Sequence, residues 1–178
     1  MSGIITDNVG RSSGLVKSAG GGGGKLLQVL ETTDDDVIST NSTSPTATGL
    51  LQAITPTAAS SKIIVTCWSG SWSSQNNGWS FVYFDVAGGG YAVVPPIGAA
   101  SGSRMRCHAF TQQPYTNQMF FSILHAPSYT LGQEITYQLY IEVDSATYYV
   151  WLGRSNTDTD DDKFGRSPTG IRVEEIAA

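Results

Sequence analysis

From Ile135 to Val143 the side chains alternate without a break, with Ile135, Tyr137, Leu139, Ile141 and Val143 on one side and Thr136, Gln138, Tyr140 and Glu142 on the other. A period of two belongs to a half-buried antiparallel strand; a helix would repeat its apolar positions every three to four residues. Comparable apolar runs recur along the chain: Lys25–Glu31, Gly49–Ile54, Lys62–Trp72, Trp79–Val86, Tyr91–Val94, Arg104–Phe110, Met119–Leu124, Thr147–Leu152 and Gly170–Ile176. They are short, spaced roughly every 10–15 residues, and separated by Gly, Pro, Asp and Ser clusters, and none sustains a helical period. The polar stretch Thr32–Thr48 reads as a connection between two of them. The pattern predicts an all-β domain over residues 25–178, an antiparallel β-sandwich with jelly-roll topology.

Residues 1–24 form a separate segment. Its apolar residues (Ile4, Ile5, Val9, Leu15, Val16) are scattered among Gly, Ser and Asn, and it closes on the run Gly20–Gly24. Such a segment cannot build a core, and consecutive glycines lose the most conformational entropy on ordering. It is expected to be an extended, Gly-rich N-terminal arm that places those five apolar side chains on a partner.

Composition narrows the function. Gly, Ser and Thr account for 59 of the 178 residues, while charged residues are only 14%, well below the quarter or so of an average soluble protein. The net charge is −5 and the ten Lys and Arg are scattered, so the basic footprint that nucleic acid requires is missing. No apolar run reaches the length of a membrane helix, and the start MSGIITDNVGRSSG lacks the basic and apolar regions of a signal peptide. Synthesis in a cytoplasm, no membrane partner and two free thiols at Cys67 and Cys107 are the expectations, since the thiols lack any CxxC or His at ligand spacing.

Several motifs invite chemistry and fail on context. Gly20–Gly24 followed by Lys25 lacks the spacing of a phosphate loop, with Ala19 and Leu26 at the decisive positions. Gly10-Arg11-Ser12-Ser13-Gly14 spells a nucleophile elbow but has neither strand nor helix beside it, and His108 and His125 fall in strand-like runs where they read as structural. Asp158, Asp160 and Asp162 start like a calcium loop, yet Lys163 stands where its glycine belongs and Thr169 where its bidentate Glu belongs; a solvated acidic loop is the preferred reading, with no metal. Asn41-Ser42-Thr43 is a sequon in letters only. The aromatics between Trp68 and Phe84 suit a core, but Trp72, Trp79 and Tyr91 are candidates for stacking on a sugar ring.

Three stretches carry a resemblance: SGIITDNVGRSSGLVKSA (Ser2–Ala19), the block GKLLQVLETT with TGLLQAITPTAASSKIIV (Gly24–Thr33 and Thr48–Val65), and the ending RSPTGIRVEEIAA (Arg166–Ala178). Together they resemble small β-rich virion proteins of tailed bacteriophages, including cyanophages. The resemblance implies a non-enzymatic structural protein of the virion, made in the host bacterial cytoplasm, needing no cofactor and commonly a homotrimer. Its partners would be further copies of itself and either the major capsid protein or a tail or baseplate protein. With 178 residues the chain lacks the shaft of a long tail fibre, which favours a capsid decoration (cement) protein over the alternative, a tail-fibre adhesin that recognises host polysaccharide.

Overall fold

The computed structural model describes residues 24–112 and 116–178, and the following statements concern these; the arm at residues 1–23, with Ile4, Ile5, Val9, Leu15, Val16 and Ser12, lies outside them. The described chain is all-β, with strands β1 (Leu26–Asp34), β2 (Ile38–Thr40), β3 (Thr46–Ile54), β4 (Lys62–Ser74), β5 (Asn77–Val86), β6 (Ala92–Val93), β7 (Ala109–Gln112), β8 (Asn117–His125), β9 (Ile135–Val143), β10 (Val150–Leu152) and β11 (Thr169–Ile176). Every pairing is antiparallel. The first sheet has the order β1-β11-β4-β10-β2, with β8 on the free side of β4; the second has the order β3-β9-β5-β6, with β7 also on β5. Among the described residues no helix is long and apolar enough to cross a membrane.

The two sheets share one core. Ile63, Val65 and Cys67 of β4 and Ile171 and Val173 of β11 meet Val82 of β5 and Ile135, Tyr137, Leu139 and Ile141 of β9. These are the alternate positions of their strands, so the period of two that marks them in the sequence is also what brings their side chains into one layer.

The polar stretch Thr32–Thr48 is more strand than connection. Thr32, Thr33 and Asp34 continue the ladder opposite Ile171, Gly170 and Thr169, β2 pairs with β10, and β3 begins at Thr46. Backbone pairing needs no apolar side chain, and here the ladder of β11 extends strand structure through residues whose side chains alone would not specify it. The run at Arg104–Phe110 moves the other way: the strand is Ala109–Gln112, while Arg106 sits in the preceding loop with its guanidinium Nε donating to the Gly98 carbonyl at 2.7 Å.

One buried carboxylate ties the ends of the chain to the middle. Glu175 lies on the inward side of β11 and is fully buried. Its carboxylate accepts from the Thr57 and Ala58 amides (2.9 and 3.1 Å to Oε1), the Ser61 hydroxyl (2.7 Å), the Thr57 hydroxyl (3.0 Å) and the Gln28 side-chain amide (2.8 Å). Thus β1, the loop joining β3 to β4, and β11 close on one another around a single anion. Burial alone would raise this carboxyl, but the hydrogen bonds from Ser61, Thr57, Gln28 and Ala58 hold it at about 2. Close packing reinforces the junction further along β11, where a methyl group on Gly170 would fall inside the Trp68 ring.

Glu175→Gln turns one acceptor oxygen into a donor facing other donors and is expected to cost about 2–3 kcal/mol at neutral pH. Because the folded-state value of about 2 lies below the ordinary 4.5, the stabilisation is complete above pH 4.5 and is lost as pH falls towards 2. Urea unfolding of both proteins should show the difference at pH 7 and its shrinkage between pH 4.5 and 2; a difference that does not change with pH would contradict the anionic cradle.

Candidate functional site

The outward faces of the two sheets are where this molecule meets its surroundings; their charged residues are Glu31, Arg172 and Glu174 on the first and Asp85 and Glu142 on the second. On the first sheet, Phe120, Ser122 and Leu124 of β8 stand opposite Trp68, Thr66 and Ile64 of β4, and the rows continue to Gly170, Arg172 and Glu174 of β11. Phe120 is 70% exposed and Leu124 56%. Arg172 and Glu174 pair with each other at 2.9 Å, and the Thr66 and Ser122 hydroxyls share a hydrogen bond of 3.0 Å. The face therefore presents large apolar side chains around polar groups that are already engaged with one another.

The outward face of the second sheet is aromatic. Trp79, Phe81 and Tyr83 occupy alternate positions of β5, with Glu142, Tyr140 and Gln138 opposite them on β9 and Phe110 opposite Trp79 on β7. The Tyr83 and Tyr140 rings are 4.3 Å apart between centroids, and Tyr91, from the turn after β5, comes to 6.0 Å from Tyr140. Two of the candidate stacking residues, half-buried Trp79 and the 42% exposed Tyr91, are thus on or beside this face. Trp72 is not. It is 1% exposed and belongs to the core, so it cannot stack on a ligand. The cause is a register shift in β4 between Ser69 and Trp72: one irregularity reverses the alternation, and an even-numbered residue turns inward after Ile63, Val65 and Cys67.

Glu142 belongs to this aromatic face. The alternation within β9 marks it as outward and wet, yet it is 2% exposed, and its Oε1 has no hydrogen-bond partner among the described residues. Burial pushes its carboxyl up to about 6. Burial also raises the Tyr83 hydroxyl and the Cys107 thiol, and the Glu142 charge raises both further. Gln138 is buried on the same side, so β9, the inner strand between β3 and β5, is covered on both faces rather than half-buried. Neighbouring aromatic rings supply that cover, which the alternation within one strand cannot show.

Both histidines are committed to the fold. The Val82 amide donates to His108 Nδ1 at 3.0 Å, which fixes that nitrogen as an acceptor, so Nε2 carries the proton and donates to the Val94 carbonyl at 2.9 Å. Burial lowers the His108 ring despite the bond to Val94. His125 shares a 2.9 Å hydrogen bond with the Tyr137 hydroxyl and lies against the Phe84 ring, and burial brings it down to about 4. The acidic loop is also engaged. Asp158 accepts from Arg154 at 2.9 Å and from Arg166 at 2.7 Å, and Arg154 in turn lies 4.4 Å from the centre of the Trp151 ring. Asp158 therefore does not join Asp160 and Asp162 as a ligand set, and the described residues hold no group of three potential metal ligands. Cys67 is fully buried and Cys107 half-buried, both as free thiols.

Glu142 gives the aromatic face a pH signature. Its folded-state value of about 6 lies above the ordinary 4.5, so the ionised form is disfavoured in the fold, and the penalty develops as pH rises from 4.5 through 6. Glu142→Gln is expected to be more stable than the parent by on the order of 1 kcal/mol at pH 8 and to lose that advantage below pH 4.5; thermal unfolding at the two pH values checks it, and an advantage at low pH only would refute it. In comparisons with known proteins, neither a protein-family model nor a curated protein matches this chain.

Proposed function

We propose that this chain is a non-enzymatic structural protein of a bacteriophage particle, a trimeric capsid decoration protein that cements neighbouring subunits through its N-terminal arm. The observation that carries this reading is the outward face of the first sheet, where Phe120 and Leu124 stand in the open beside Ile64 and Trp68. Contiguous apolar surface of this kind marks a site of protein contact, and a closed symmetric ring covers it without leaving strand edges open. The resemblance of both chain ends to phage virion proteins supplies the setting. Two of the three stretches that carry it converge in the fold: Gln28, Thr57 and Ser61 of the second and Glu175 of the third meet in one hydrogen-bonded cluster.

We also read the strand order as a jelly roll. Taking β1 with β2, β6 with β7 and β10 with β11 as interrupted strands leaves eight, four in each sheet, which is the number that architecture uses. In this reading the sandwich is a rigid body, and the arm, with Ile4, Ile5, Val9, Leu15 and Val16, is the clamp. Each apolar side chain that it buries contributes on the order of 1.5–3 kcal/mol before ordering costs, and three linked arms add avidity.

A second reading has its own observation. Tyr83, Tyr140 and Tyr91 cluster within 4.3–6.0 Å on or beside the face that carries Trp79, which suits stacking on the apolar side of a sugar ring, as a tail-fibre adhesin would need.

Binding to empty capsid shells of the parent phage separates the two. Decoration predicts saturable binding by the full chain, loss of at least tenfold in affinity when residues 1–24 are removed, and a raised shell melting temperature. Absence of shell binding together with glycan-array binding that Trp79→Ala or Tyr91→Ala abolishes would replace decoration with adhesion.

A further inference from the structure

The edge of β8 faces a cleft of about 650 Å³ whose opposite wall includes Pro96, Ile97, Cys107 and His108. On the β8 side four consecutive residues, Phe121–Leu124, line it. Successive side chains of a strand point to opposite faces, so four in a row can line one cleft only where it runs along the strand's edge. That edge is open: β8 pairs with β4 on one side, and among the described residues no strand pairs with the other. The size fits as well. Four residues of added strand, about 13 Å long, one strand spacing wide and one sheet spacing deep, fill about 620 Å³.

We infer that this cleft receives a β-strand from the N-terminal arm of a second copy of this chain. The inference rests on the assembly reading above and names the acceptor site. The lining carries no charged side chain, which suits the apolar Ile4, Ile5 and Val9 of the arm; Asp7, the one charged side chain from Ser2 to Val9, would take the open mouth of the cleft, where water reaches it. Residues 1–23, fully extended, reach about 75 Å from Gly24, so a neighbour's cleft is within range.

Direction selects the neighbour over the arm's own subunit. The Gly24 amide donates to the Ala177 carbonyl at 2.9 Å, at the end of the first sheet where Leu26 pairs with Ile176, Ile176 with Lys62, and Ile63 with His125. Strand β8 finishes at that same end. An arm that runs back from Gly24 without reversing would therefore lie parallel to β8 of its own subunit, whereas an arm from a second copy can enter straight from the other end and pair antiparallel, the more stable ladder and the sense of every pairing among the described residues. Main-chain hydrogen bonds would supply affinity and the cleft's apolar walls specificity, as in strand addition generally.

Cys107 reports on the cleft from within. In the full-length protein, Ile4→Cys, Val9→Cys and Leu15→Cys are introduced one at a time, the protein is oxidised at pH 8.5, and linked peptides are mapped by mass spectrometry. The expected result is a disulfide between an arm cysteine and Cys107 of another chain, seen as covalent oligomers that vanish in the Cys107→Ser background. Links to Cys107 within one chain would show that the cleft holds its own arm, and links that survive Cys107→Ser would show arms meeting elsewhere; either outcome overturns the proposal, as does no link at all. Sedimentation velocity gives a second reading without engineered thiols. Ile97→Lys places a charge in the loop wall of the cleft and leaves Phe120, Leu124, Ile64 and Trp68 of the outward face unchanged, and it should convert oligomer to monomer while thermal unfolding stays cooperative; an excess of a Ser2–Ala19 peptide should do the same to the parent protein. An oligomer indifferent to both overturns strand exchange. Capsid binding is measured separately, so a chain that binds shells but never exchanges arms would lose this inference and keep the decoration reading.

Discussion

The Glu175 carboxylate is the constraint on which the rest of this structure depends. A buried anion is tolerated only where donors surround it, and here the donors come from Gln28 on one edge strand and from Thr57, Ala58 and Ser61 in a loop far away in sequence. Meeting that requirement fixes the loop against the end of β11, and with it the start of β4, which opens at the next residue after Ser61. Strand β4 then carries β11 and β10 on one side and β8 on the other. Its position therefore sets where the open edge of β8 and the apolar outward face come to lie.

Much of the architecture is legible in the residues because alternation is a local signal. Strand β9 spans Ile135–Val143 as the pattern requires, and its inward residues are the core. What alternation cannot supply is what lies across from a side chain. Glu142 and Gln138 read as wet because their strand mates Tyr137 and Leu139 face inward, but their cover comes from rings on other strands. Trp72 reads as accessible for the complementary reason: the register shift after Ser69 changes which side it faces, and the mark of it in the run Lys62–Ser74 is Gly70, a glycine inside a strand pattern, which points to a bulge. Glu175 follows the same rule, since its position beside Val173 marks it as inward without naming the donors that make burial possible.

Charge is spread unevenly over the molecule. Acidic residues gather where β1 ends and turns, at Asp34–Asp36, and in the loop Asp158–Asp162, the second partly neutralised by Arg154 and Arg166. The outward faces carry Glu31, Arg172 and Glu174 on the first sheet and Asp85 and Glu142 on the second, so part of the net charge of −5 lies on them.

The buried ionisable groups set how the stability of the fold depends on pH. Glu142 weakens the fold as pH rises from 4.5 through 6, and His125, held down to about 4 against an ordinary 6.5, weakens it as pH falls through that range. Between pH 4.5 and 6.5 the two trends oppose, so stability changes little. Below 4.5 the Glu142 gain is complete while Glu175 begins to lose its anionic advantage and His125 is still being forced to charge, so the two losses act together. Acid should therefore act first on the junction that Glu175 closes and on the His125 contact with Tyr137 at the end of β8, the strand beside the cleft. Acid sensitivity is thus concentrated at the end of the first sheet where the Gly24 amide meets the Ala177 carbonyl.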